Sequence, residues 1–153
     1  MANTYTQLYI QFVFAVQNRM SLISENWQSD LYKYMTGIVG QQEHKLMAIN
    51  GIPDHVHILI SMNPKQAPSD LMFHVKRSSS VWINDNRLCP GKFAWQEGFG
   101  AFSYGKSQIP TIARYIENQQ KHHMKRTFIN EYKEFLNAFG IEFDERYIYK
   151  PID

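Results

Sequence analysis

At 153 residues, 44% of them hydrophobic, the chain is long enough to bury one ordinary core, so residues 1–153 are read as a single domain. Its one cysteine, Cys89, excludes a disulfide framework within the chain and any Cys-rich zinc module. A formal net charge of +2 neither demands nor excludes nucleic acid. No apolar run approaches the roughly 20 residues of a membrane span and the opening Met1–Thr6 is polar, so the expected setting is cytoplasmic, with no membrane partner.

Residues 5–16 are rich in aromatic and β-branched side chains and partly alternate, which predicts a long first strand. Ser24 before Glu25 can cap a helix to about Gly40, with Trp27, Leu31, Tyr34 and Ile38 spaced for one buried face. Two apolar runs, 44–51 and 55–62, flank the turn-rich Gly51-Ile52-Pro53-Asp54 and predict a hairpin. Pro68-Ser69-Asp70 opens a second helix to about Asn84, packed through Leu71, Val75 and Trp82. Its Lys76-Arg77-Ser78-Ser79-Ser80 stretch has no apolar task of its own. A glycine- and aromatic-rich region, 93–105, leads to a short strand near 100–104. Pro110, Ile109, Ile112 and Ile116 predict a helix to about His123, and a last helix, about 128–139, stops at Gly140. The order is that of an α+β, ferredoxin-like βαββαβ fold: an antiparallel sheet with helices on one face, and a C-terminal helical extension.

The chemistry is concentrated in Asp54-His55-Val56-His57-Ile58-Leu59. Side chains at i and i+2 of a strand share a face, so His55 and His57 stand side by side with Val56 turned away. Two imidazoles so placed are half of a divalent-metal site, although a chain with six histidines can also produce such a pair by accident. Tyr115 and Gln119, four residues apart on a helix, project from one face about a turn apart. A tyrosine hydroxyl is a competent nucleophile toward phosphorus, and a glutamine oxygen can join two imidazoles in a mixed N/O set suited to Mg²⁺ or Mn²⁺. Taken singly, Tyr115, one of nine tyrosines, and Gln119 read better as ordinary packed or surface side chains than as site residues. Lys76 and Arg77 are candidates for backbone phosphate, and Lys121, His122 and His123 for further DNA contacts; a solvated basic helix end is the plainer reading of the latter group. Phe99 and Tyr104 are candidates to stack on unpaired bases, against a core role for both.

In four stretches, Pro53–Leu59, Phe93–Ser103, Tyr115–His123 and Gly140–Tyr147, the sequence resembles the single-tyrosine HUH transposases of the smallest bacterial insertion sequences, the IS200-like transposase family. The resemblance implies that His55 and His57 ligate a divalent cation, that Gln119 completes the protein ligands, and that Tyr115 attacks a DNA phosphodiester to give a 5′-phosphotyrosine. It further implies a homodimer with active sites shared between subunits, acting on single-stranded DNA with hairpins at the element ends. Two other readings compete: a domesticated nuclease that processes palindromic hairpins, and a non-catalytic ferredoxin-like nucleic-acid-binding module. A double-stranded β-helix oxygenase also uses two histidines one residue apart, but this chain has too few strands and too much helix.

Overall fold

The computed structural model describes residues 4–122 and 127–141. Four strands, β1 (Tyr9–Ala15), β2 (Lys45–Ile52), β3 (His55–Ser61) and β4 (Gly100–Tyr104), form an antiparallel sheet in the order β2-β3-β1-β4. Helices α1 (Glu25–Gln41) and α2 (Pro68–Asp85) supply the two crossings of the βαββαβ plan, and α3 (Ile109–Glu117), α4 (Gln119–His122) and α5 (Phe128–Ala138) follow the last strand. The expected fold class and element order hold. No helix among the described residues is long and apolar enough to cross a membrane.

Strand alternation divides the core in two. Phe12, Phe14, Val56, Ile58 and Ile60 point to one face, where they meet Trp27, Leu31, Met35 and Ile38 of α1 and Leu71, Met72, Val75 and Ile83 of α2. Trp95 folds back onto this face, edge-on to Phe14 at 4.8 Å, and its indole N–H donates to the buried Ser79 hydroxyl (2.9 Å). The serine stretch of α2 therefore holds an aromatic anchor, a task its sequence does not announce. Tyr34 and Trp82, both expected on packed faces, are half-buried and stacked on each other. The opposite face carries Gln11, Val13 and Ala15 of β1 and His55, His57 and Leu59 of β3. There Val13, Ala15 and Phe102 pack with Ile129 and Leu136 of α5, while Ala48 and Leu59 pack with Ile116 of α3. The C-terminal extension thus roofs the face that α1 and α2 leave uncovered.

The first strand, expected over residues 5–16, is confined to Tyr9–Ala15, and two further boundaries differ from expectation for physical reasons. The hairpin turn is Pro53-Asp54 alone, because Gly51 pairs with Val56 within the ladder and Ile52 with His55. A Cβ at Gly51 would run into the His55 carbonyl oxygen, so only glycine fits this close approach. The helix expected to run from Pro110 to about His123 breaks at Asn118 (φ −99°, ψ 23°). Asn50 of β2 donates to the Glu117 carbonyl (2.9 Å), taking one of the carbonyls that a helix end leaves open. Gln120 then pairs its amide with that of Asn50 (3.1 and 2.9 Å) and donates to the Gly51 carbonyl (3.0 Å), which fixes the start of α4 against the sheet.

Candidate active site

Period-two alternation puts His55 and His57 on the same face of β3, in a central position of the sheet, with β1 and β2 on either side. Both are 0% exposed, and their rings lie 5.1 Å apart. Each ring is oriented through its Nδ1 atom. His55 Nδ1 donates to the Asp54 carboxylate (2.6 Å), and His57 Nδ1 lies 2.8 Å from the amide nitrogen of Gln11, a wholly buried glutamine whose oxygen accepts from the Tyr104 hydroxyl (2.8 Å). Such outer partners turn the two Nε2 atoms to a common point.

At that point sits Glu131 of α5, only 1% exposed. His57 Nε2 donates to its Oε1 at 2.9 Å, and His55 Nε2 is 3.4 Å from the same oxygen. Its other oxygen, Oε2, accepts from the Tyr115 hydroxyl and from the Gln119 amide (3.5 Å). Burial alone would lower the pKa of His55, but the Asp54 and Glu131 carboxylates outweigh it and hold the value above that of an ordinary histidine. The His55, His57 and Glu131 donor atoms all lie within 4.8 Å of one another, a buried two-imidazole, one-carboxylate group of the kind that holds a divalent cation.

The structure therefore gathers the four principal residues singled out in the sequence. Tyr115 stands with its ring centroid 6.0 Å from that of His57, and Gln119 is buried beside it although the helix breaks between them. The tyrosine and the histidines of one chain meet without a second subunit. A cavity of about 520 Å³ adjoins Tyr115 and Glu131 and is walled by Tyr104, Ile112, Phe135 and Phe139.

The basic candidates fare differently. Lys76 lies on α2, across the sheet from the histidines, and donates to the Gln96 and Gly98 carbonyls (2.7 and 2.8 Å), so it ties down the glycine-rich loop; burial lowers its pKa. Arg77 is exposed on the same helix. Lys121 and His122 are placed by backbone only, in α4, and His123 lies outside the described residues, as do residues 142–147 of the last resembling stretch. Phe99 packs edge-on against Phe12 at 5.9 Å and Tyr104 is tied to Gln11, so both candidate stacking residues are half-buried and packed against the core.

Glu131, Gln11 and the orienting role of Asp54 escape the sequence reading. One signal was available for Glu131: it falls between Phe128 and Phe135 at helical spacing, a charged residue on an aromatic stripe.

The family model for IS200-like transposases matches residues 4–119, more than half of the chain. The ISDra2 transposase TnpA of Deinococcus radiodurans is 24% identical over 118 residues, covering 74% of this chain and 84% of its own. Among solved structures, a candidate transposase from Deinococcus radiodurans R1 superposes with a TM-score of 0.61 at 20% identity, covering 76% of this chain and 94% of that one. A REP-associated tyrosine transposase bound to a REP hairpin gives 0.61 at 14% identity, covering 79% and 72%. Glu131 and all of α5 lie beyond the family match.

Proposed function

From the premise that this chain belongs to the IS200-like transposase family, and is thus a single-tyrosine transposase, we propose that it cleaves and rejoins single-stranded DNA at hairpin-bearing element ends. The single domain would act in the cytoplasm, with Tyr115 as nucleophile and a divalent cation, Mg²⁺ or Mn²⁺, at His55, His57 and Gln119. One observation carries this reading: the Tyr115 hydroxyl, both imidazoles and the Gln119 amide converge on a single buried carboxylate. Random surface histidines and tyrosines do not meet in that way. The imidazole Nε2 atoms face a common oxygen and are held from behind, which is the donor arrangement a cation needs. When bound there, the cation would supply Lewis-acid polarisation of the scissile phosphate.

The chain's own residues do the rest. Glu131 Oε2 holds the phenol by its hydrogen, leaving the Tyr115 oxygen oriented at the edge of the cavity. That oxygen forms a bond to phosphorus as its proton passes to Glu131 Oε2, the P–O3′ bond breaks, and the 3′-oxygen leaves as a hydroxyl by taking a proton from solvent, to which Glu131 returns its own. The 5′-phosphotyrosine conserves the bond energy, so a 3′-hydroxyl of another strand can reverse the step with new connectivity and no nucleotide cofactor is needed. Hairpin recognition has support by likeness, since the REP-associated tyrosine transposase of the same fold is bound to a hairpin. That likeness also favours the domesticated, palindrome-processing alternative; hairpins flanking the gene would decide for a mobile element.

Incubation with single-stranded hairpin ends and Mg²⁺ is expected to give a covalent protein–DNA adduct that Tyr115→Phe abolishes. Adduct of equal yield in that variant would overturn the assignment. The protein is proposed to act as a homodimer. Because Tyr115 meets the histidines of its own chain, a mixture of Tyr115→Phe and His57→Ala subunits is expected to stay inactive. Recovered cleavage would show that subunits exchange their tyrosine helices.

A further inference from the structure

We propose that Glu131 is itself a ligand of the divalent cation and, through its second oxygen, the positioning residue that fixes the Tyr115 phenol, so that one carboxylate joins the metal site to the nucleophile. The inference rests on the metal reading above and adds to it a residue from outside the family-matched segment. The two oxygens of Glu131 face different partners. Oε1 lies 2.9 and 3.4 Å from the His57 and His55 Nε2 atoms, whereas Oε2 accepts from the Tyr115 hydroxyl and the Gln119 amide. A carboxylate buried to 1% exposure is costly to place unless charged or strongly polar groups meet both of its oxygens, and here they do.

The chemistry of the donors points the same way. Mg²⁺ and Mn²⁺ favour anionic oxygen, and two imidazoles with one carboxylate form a better set for them than two imidazoles with a neutral amide. Gln119 presents its amide nitrogen to Oε2, on the tyrosine side of the carboxylate, while Oε1 holds the place between the two histidines. Position on α5 also matters. Ile129 and Leu136 anchor that helix on Val13, Ala15 and Phe102, so Glu131 is carried by packing against the same strands that bear the site. Glu131→Gln keeps the side-chain shape and removes the charge; Glu131→Asp keeps the charge and shortens the reach, so it cannot serve both partners.

The test uses the whole protein and two readouts independent of DNA cleavage. By isothermal titration with Mn²⁺, Glu131→Gln is expected to bind at least about tenfold more weakly than the unaltered protein, with Gln119→Ala weakened less. By NMR of protein carrying ¹³Cζ-tyrosine, with the Tyr115 signal identified through Tyr115→Phe, Mg²⁺ is expected to shift that signal in the unaltered protein. In Glu131→Asp the shift is expected to be lost. Mn²⁺ affinity of Glu131→Gln within twofold of the unaltered protein would overturn the ligand role. A Tyr115 signal that ignores Mg²⁺ in the unaltered protein would overturn the coupling without need of any variant. Should the unaltered protein fail to bind Mn²⁺, or His55→Ala bind it equally well, the histidine metal site falls and this inference with it. Retained binding in Glu131→Gln alone removes only the inference.

Discussion

The two faces of the sheet are made by the same strands yet are built on opposite principles. Toward α1 and α2, β3 contributes Val56, Ile58 and Ile60 to an interior dominated by aliphatic and aromatic side chains. Toward α3 and α5 the intervening positions contribute His55 and His57, and between the apolar contacts of Val13, Phe102 and Leu59 with those helices the buried polar company is Gln11, Gln119 and Glu131. A polar interior is stable only if each group is met by another, which is why that face contains a chain of contacts from Tyr104 through Gln11, His57 and Glu131 to Tyr115. One face supplies rigidity and the other supplies chemistry; alternation lets neighbouring residues serve each without compromise.

Substitutions that touch one face should therefore spare the other. The largest effect is expected from Tyr115→Phe, which removes the nucleophile: covalent adduct should vanish from denaturing gels while the melting temperature stays within a few degrees. Ile58→Ala, one residue from His57 but facing the opposite way, should lower stability by about 2–5 kcal/mol in denaturant titrations through the cavity it leaves. At a temperature where this variant remains folded, its Mn²⁺ affinity should be unchanged. Asp54→Ala removes the group that orients His55 and should weaken Mn²⁺ binding by about 10- to 100-fold, read by calorimetry, with a modest change in melting temperature. Smallest is Lys76→Met, which loses two bonds to the loop carbonyls and should cost about 1–2 kcal/mol of stability. Affinity for single-stranded DNA should stay within twofold; a large loss would return Lys76 to the phosphate contacts and blur the division between the faces.

How much of this was legible follows from sequence distance. The two histidines could be placed on one face because strand geometry is local and has a period of two. Helical spacing groups Tyr115 with Gln119, and the two stay together although Asn118 interrupts the helix, since Asn50 and Gln120 pin both pieces to β2. Glu131 is 74 residues from His57 and enters from a helix whose docking no local pattern specifies. Gln11 is hidden in the same way, as one polar position in an apolar strand 46 residues from its partner. Lys76 is the converse case. A lysine beside an arginine reads as a phosphate contact, yet its ammonium reaches backbone carbonyls that only the folded loop presents.

The two-residue turn at Pro53-Asp54 bears on more than chain reversal. Slipping β3 by one position would turn both histidines into the hydrocarbon interior and bring Val56 and Ile58 to face Tyr115. Gly51 opposes that slip, because the close approach to the His55 carbonyl leaves no room there for a residue with a side chain. Asp54, the last residue before the strand, holds the His55 ring from behind. A change of loop length that is taken up as a one-residue slip of β3 would thus exchange the sheet's two surfaces, and insertions at this turn should be tolerated less well than in most hairpins.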